Sequence, residues 1–125
     1  MAKEYLEKLE ALLAPAARKL PPEIELEVKH FFSGAAAYAN GRICITLTTV
    51  GLALKLPEDS RARLKKKGAK ALRYFPKGPI KKDYVVVPRS YREDRRKLAT
   101  WARKSIDYAL TRPKRGLGFS AKSMG

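Results

Sequence analysis

Residues 35–49 have the sequence AAAYANGRICITLTT, which predicts a β-hairpin. Asn40-Gly41 separates two runs of strand-forming residues, and this dipeptide readily adopts the positive φ angles of a two-residue turn. Val50-Gly51 then predicts a second turn, and the alternation of apolar residues over 52–56 predicts a third strand. We therefore expect three antiparallel strands in a meander at the centre of the fold.

The alternation along the second strand assigns its side chains to two faces of the sheet. One face carries Ile43, Ile45 and Leu47, and it needs a cover of helices because it is apolar. We expect the other face to contact water or to pair in a dimer, because its side chains are small or polar. These side chains are Cys44, Thr46, Thr48, Ala53 and Lys55.

Three segments are predicted helices. Apolar residues recur at three- and four-residue steps over 5–16, and Pro21-Pro22 cannot continue that helix. A second helix is predicted between Pro57 and Gly68, because proline is favoured in a first turn and glycine after a last one. Ser90 and Glu93 have the spacing of a capping box, so we expect the third helix to begin there.

The remaining segments are predicted to be extended. Residues 23–30 alternate between charged and apolar side chains, which predicts an edge strand or an extended lead-in. Short strands are predicted at 72–75 and 84–87. The element order α-β-β-β-α-β-β-α indicates an α+β two-layer sandwich, in which helices cover one face of an antiparallel sheet. We expect one domain over residues 1–111 and a flexible basic tail over 112–125.

No segment has the spacing of a catalytic, metal-binding or cofactor-binding motif. His30 and Cys44 each occur once, and Gly116-Leu117-Gly118 lacks the strand and helix of a dinucleotide fingerprint. We therefore expect a protein that is not an enzyme and that holds no metal or cofactor. Because no apolar run approaches the roughly 18 residues of a membrane span, and a single cysteine suits a reducing compartment, we expect a cytoplasmic protein with no membrane partner.

The net charge of +16 is unevenly distributed. Residues 1–30 carry a net charge of −1 and the other residues +17, a balance that attracts polyanions. Arg95-Arg96-Lys97 fall in the first turns of the last predicted helix, where the helix dipole disfavours cations and only Glu93 and Asp94 compensate, so an external anion is indicated. Nine residues are the predicted contacts to nucleic acid or another anion: Lys65, Lys66, Lys81, Lys82, Arg92, Arg95, Arg96, Lys97 and Arg103.

The basic charge is also consistent with origins that involve no ligand. Lys65 and Lys66 fall in the last turn of the second predicted helix, where the helix dipole favours cations. The chain has one Asn and no Gln, which together with abundant Lys, Arg and Glu matches the composition of heat-adapted proteins. The basic charge therefore has either a binding role or a structural or compositional origin.

Five segments carry a resemblance to a known family. They are residues 31–42 in the opening hairpin, 51–56 in the third strand, 75–78 and 84–88 in the closing segment, and Leu98 with 101–103 in the last helix. In this order the segments resemble the TfoX N-terminal domain family. Phe31-Phe32-Ser33-Gly34 differs from the methionine, phenylalanine and paired glycines that are usual in that family.

This resemblance implies an α+β sandwich without a cofactor or catalytic residues. The namesake proteins regulate natural competence and act with the transcription machinery, so the resemblance implies a regulatory or binding domain. Together with the basic charge, it predicts a non-enzymatic domain that contacts nucleic acid or an acidic protein. The alternative is a protein-interaction module that homodimerises through its sheet.

Overall fold

The computed structural model describes residues 2–31, 34–73, 78 and 80–112. Four helices and six strands are present in this part of the chain. In chain order they are α1 (Ala2–Ala17), β1 (Leu26–Phe31), β2 (Gly34–Ala39), β3 (Arg42–Thr48), β4 (Gly51–Lys55), α2 (Glu58–Lys66), β5 (Lys70–Leu72), β6 (Lys81–Val86), α3 (Arg89–Arg92) and α4 (Arg95–Thr111).

The six strands form one antiparallel sheet in the order β1-β2-β3-β4-β6-β5. The predicted α+β architecture and the meander are confirmed, but the sheet is larger than the five strands expected. The difference comes from residues 23–30, whose alternation belongs to the edge strand β1, paired with β2 from Leu26 to Phe31.

Two strand boundaries differ from the predictions. β5 begins at Lys70, two residues before the predicted start, and residues 74–75 of that prediction lie outside the described residues. β6 begins at Lys81, so Lys81 and Lys82 are strand residues and do not precede the strand. Residues 113–125 of the predicted tail also lie outside the described part of the chain.

The last predicted helix is divided in two. Pro88 leads into the four residues of α3, and the long helix α4 begins only after Asp94. The Asp94 carboxylate accepts hydrogen bonds from the backbone N–H groups of Arg96 and Lys97, both at 3.1 Å, and so satisfies two donors of the first turn. The prediction that a capping box at Ser90 starts this helix is therefore wrong.

The predicted hairpin turn is confirmed, but the strand after it is irregular. Asn40 and Gly41 have φ angles of 50° and 82°, as a type I′ turn requires. A bulge follows, because Ala37 pairs with Ile45 while Tyr38 pairs with Ile43, and Cys44 is the additional residue. Cys44 therefore packs into the core, and the prediction that it faces away from the apolar side is wrong.

The second face of the sheet is not open at its centre. Thr46, Thr48 and Ala53 are 2%, 5% and 0% exposed in the single chain, so the prediction that they face water or a dimer partner is wrong. Lys55 is half-buried, with its ammonium 6.0 Å from the centre of the Tyr84 ring.

Helices α1 and α4 form the second layer. They pack against each other and against the same face of the sheet, over β2 and β3. Small residues in β2 allow this approach: Ala35, Ala37 and Ala39 are fully buried. The residues that the helices contribute to the common core are Leu9, Leu13 and Ala16 from α1, and Leu98, Ala102, Ile106 and Ala109 from α4.

Asn40 holds the start of β1 against the hairpin, and its replacement should show this. Its Oδ1 accepts from the Glu25 N–H at 2.7 Å, and its Nδ2 donates to the Glu23 carbonyl at 3.2 Å. Asn40→Gly keeps the positive φ and loses only these bonds, so we expect it to cost about 1 kcal/mol. Asn40→Ala adds the left-handed strain and should cost about 2 kcal/mol in urea denaturation. Equal losses in the two variants would contradict the strain contribution.

Candidate anion-binding surface

The structure separates the nine predicted anion-binding residues into three places. Five lie on α3 and α4, two at the C-terminal end of α2, and two at the start of β6. At the start of β6, Asp83 faces Arg61 of α2 at 3.7 Å, and this carboxylate reduces the local positive charge. Lys65 and Lys66 lie in the last turn of α2, on the C-terminal side of Arg61. The predicted set is therefore divided among four elements of the structure.

α4 carries more of the predicted residues than α2, α3 or β6 does. Arg96 and Arg103 are seven residues apart, so they differ by only about 20° around the helix axis. Ala99 and Thr100 lie between them on the same side. The opposite side of α4 is in the core, which fixes the direction of the cationic side toward solvent.

A groove of about 580 Å³ runs between this side of α4 and the C-terminal end of α1. Four of the lining residues are cations, and none is a carboxylate. The lining residues are Ala16, Lys19, Arg96, Ala99, Thr100, Arg103 and Lys104. The backbone N–H of Lys19 donates to the Ala16 carbonyl at 3.1 Å, so Lys19 belongs to the turn that ends α1.

Arg92 and Arg95 do not line this groove. They lie in a second depression of about 280 Å³ with Lys8, where Glu93 supplies a carboxylate. Arg92 belongs to α3, so it is not on the same helix as Arg96 and Arg103. The carboxylate makes this depression less favourable for an anion than the groove beside α1.

Two aromatic rings form cation–π contacts with cations of their own and of neighbouring helices. Trp101 is half-buried, and the cationic groups of Arg63 and Lys104 lie 5.5 and 5.6 Å from the centre of its ring. Lys97 lies 5.0 Å from the ring of Tyr91. At these distances the rings stabilise the cations without cancelling their charge.

Two contributors to the groove were missing from the predicted set. Lys104 is eight residues after Arg96, about two helical turns, so the sequence pattern contains the signal that identifies it. Lys19 has no such signal, because its place in the groove depends on the packing of α1 against α4.

The part of the chain that the structure describes offers little to other kinds of site. Cys44 is buried, and burial raises the pKa of its thiol to about 12, against a smaller lowering by the charge of Lys55. The thiol therefore stays protonated at neutral pH, and the thiolate is the nucleophilic form. Within the described ranges, no three His, Cys, Asp or Glu side chains form a group that could hold a metal ion. No helix in the same ranges has the length and apolar character that crossing a bilayer requires.

Comparison with known proteins gives one match. A family model, the TfoX N-terminal domain, matches residues 20–109. No curated protein and no solved structure matches the chain. The matched range includes all six strands and most of α4, whereas α1 precedes it.

Proposed function

The chain belongs to the TfoX N-terminal domain family, and from this premise we propose that it is a non-enzymatic regulatory domain that contacts nucleic acid through the basic surface of α4. The observation that carries the proposal is the set of cations along the exposed side of α4, where the groove beside α1 has no carboxylate in its lining. Nucleic-acid backbones attract such surfaces, because binding releases their condensed counterions.

The placement of the cations argues that part of the charge serves binding. Arg95, Arg96 and Lys97 occupy the first turn of α4, which contains no acidic residue. The partial positive charge of a helix N-terminus repels cations there, so this arrangement lowers the stability of the free protein. The Asp94 carboxylate at the N-cap offsets part of this cost. An anionic partner would offset more of it, whereas a compositional origin supplies no further compensation.

The sheet-face dimer has less support than the nucleic-acid contact. Its central residues Thr46, Thr48 and Ala53 are already buried in one chain. One of the two edge strands of the sheet is β1, where Glu27 and Lys29 form an ion pair at 3.9 Å. Charged residues on an edge strand oppose pairing with a second chain. The contact with nucleic acid is therefore the better supported of the two proposals.

The proposal predicts steeply salt-dependent binding to duplex DNA. If four to six cations contact phosphates, the affinity should fall by about 10²- to 10³-fold between 50 and 200 mM salt. Fluorescence anisotropy with a labelled 20-base-pair duplex measures this. Two duplexes of unrelated sequence should bind within a few-fold of each other, because contacts to phosphates carry no sequence information.

Two results would contradict this prediction. Negligible binding at 50 mM salt, or an affinity independent of salt, would remove the contact with nucleic acid. A polyglutamate chain of equal charge serves as the comparison. Binding to polyglutamate that equals or exceeds binding to DNA would assign the surface to an acidic protein partner.

A further inference from the structure

We propose that the groove between α1 and α4 holds the phosphodiester backbone of one nucleic-acid strand, with Lys19 and Lys104 as phosphate contacts from opposite sides. This inference rests on the proposed function and gives it a site. The two lysines are both exposed, one in the turn after α1 and one on α4, and they line the same groove with Arg96 and Arg103.

The charges in the groove are mostly uncompensated. Arg103 donates to the Asp107 carboxylate at 3.0 Å, so one of the four cations already has an anionic partner. Among the described residues, no carboxylate lies within ion-pair distance of Lys19, Arg96 or Lys104. Three like charges around one groove repel each other, and an anion between them would remove this repulsion.

The shape of the groove favours the backbone over the base edges. A helix reads bases when it is a convex element that enters the major groove. Here α4 is one wall of a concave surface, and a strand's row of phosphates is a convex ridge that can enter it. Ala16 and Ala99 are short side chains in the lining, and Thr100 supplies a hydroxyl group. This surface therefore contacts phosphates without reading sequence.

The length of the row of cations from Arg96 to Lys104 also suits a short run of phosphates. Arg96 and Lys104 are eight residues apart, which is about 12 Å along a helix axis. A strand of duplex DNA rises about 3.4 Å along the duplex axis per phosphate. Adjacent phosphates are farther apart than this rise, because the strand winds around the axis, so the row spans fewer than about three phosphate steps. Lys19 contacts the ridge from the other wall. Because α1 precedes the segment matched by the family model, one wall of the site is a feature of this chain outside the matched range.

The test compares two double variants with equal loss of charge. Lys19→Ala/Lys104→Ala removes one lysine from each wall, and Lys65→Ala/Lys66→Ala removes two exposed lysines from the end of α2. Affinity for the labelled 20-base-pair duplex is measured from 50 to 200 mM salt. Each lost phosphate contact costs about eightfold at 100 mM salt.

We therefore expect the groove variant to bind about 60-fold more weakly than the wild-type protein at 100 mM salt. Its slope of log affinity against log salt should be shallower by about 1.8, and the α2 variant should change affinity less than threefold. The variant Lys19→Arg/Lys104→Arg should restore binding, because it restores both charges. Circular dichroism confirms that each variant is folded.

Each contrary result has its own meaning. Equal losses in the groove and α2 variants would overturn the groove and leave a diffuse basic surface. Unchanged affinity in the groove variant, with salt-dependent binding in the wild-type protein, would also overturn the groove but not the proposed function. Failure of the wild-type protein to bind DNA at 50 mM salt would remove the proposed function itself. A preference above tenfold between unrelated duplexes would contradict the backbone contact.

Discussion

The double variant Leu9→Ala/Leu13→Ala should lose most or all of the free energy of unfolding at 25 °C. Leu9 and Leu13 are one turn apart on α1, and they are 0% and 1% exposed. A buried Leu→Ala replacement costs about 2–5 kcal/mol, and domains of this size have a total stability of about 5–15 kcal/mol. The two losses are not strictly additive, because the side chains are neighbours, but together they remove most or all of the stability.

The position of α1 explains this large effect. The helix packs against β1, β2, β3 and α4, and it lies over the buried alanines of β2. Those alanines are too short to fill the space left by two leucines, so cavities would remain. Most of the stability that α1 contributes therefore comes from the few apolar side chains on its buried face.

Urea denaturation followed by circular dichroism measures the loss. The matched control is Leu9→Met/Leu13→Met, which nearly conserves volume and should cost less than about 1.5 kcal/mol per site. A cooperative transition of the alanine variant near the wild-type midpoint would contradict the role assigned to α1. This role also means that the core includes residues outside the segment 20–109 that matches the family model.

The features predicted correctly from sequence are those with local causes. The turn at Asn40-Gly41 follows from the φ preferences of two adjacent residues. The apolar residues that recur over 5–16 all lie within one helix. The stop at Gly68 is also local, since its φ of 108° suits glycine. Each of these signals lies within a few positions of the structure it determines.

The features that were missed depend on distant parts of the chain. Cys44 enters the core because a bulge shifts β3 against β2, and Ser105 of α4 donates to the Cys44 carbonyl at 2.9 Å. Periodicity along β3 contains no sign of either contact. At the start of α4, two capping signals compete within five residues, and Asp94 caps the long helix in place of Ser90.

The candidate site shows the same division. Arg96 and Arg103 belong to the predicted set, and the structure places both on the exposed side of α4. Lys19 was missed because it is 77 positions before Arg96 in the sequence, and only the packing of α1 against α4 brings them to one groove. Charge counts along a sequence therefore locate a basic helix face better than a basic groove.

Gly34→Ala should destabilise the protein by about 3 kcal/mol or more, at a site where backbone preferences alone predict the opposite sign. Gly34 is the first residue of β2, a strand paired on both sides, and it lies opposite Phe31 and Thr48. Its φ is not in the left-handed region, so alanine would ordinarily stabilise it by about 0.4–1 kcal/mol through the unfolded state.

The reason for the reversal is the close approach of β3. A Cβ on Gly34 would overlap the Leu47 carbonyl oxygen and lie 2.9 Å from the Thr48 Cγ2. A side chain can move away, but the carbonyl belongs to the strand ladder and cannot shift without disturbing its hydrogen bonds. The double variant Gly34→Ala/Thr48→Ser has no Cγ2 at position 48. It should still be less stable than Thr48→Ser by nearly the full cost of Gly34→Ala, because the overlap with the Leu47 carbonyl remains. Urea midpoints of the four proteins decide the matter: full recovery would assign the conflict to the side chain, and a stabilised Gly34→Ala would show that β3 does not approach this closely.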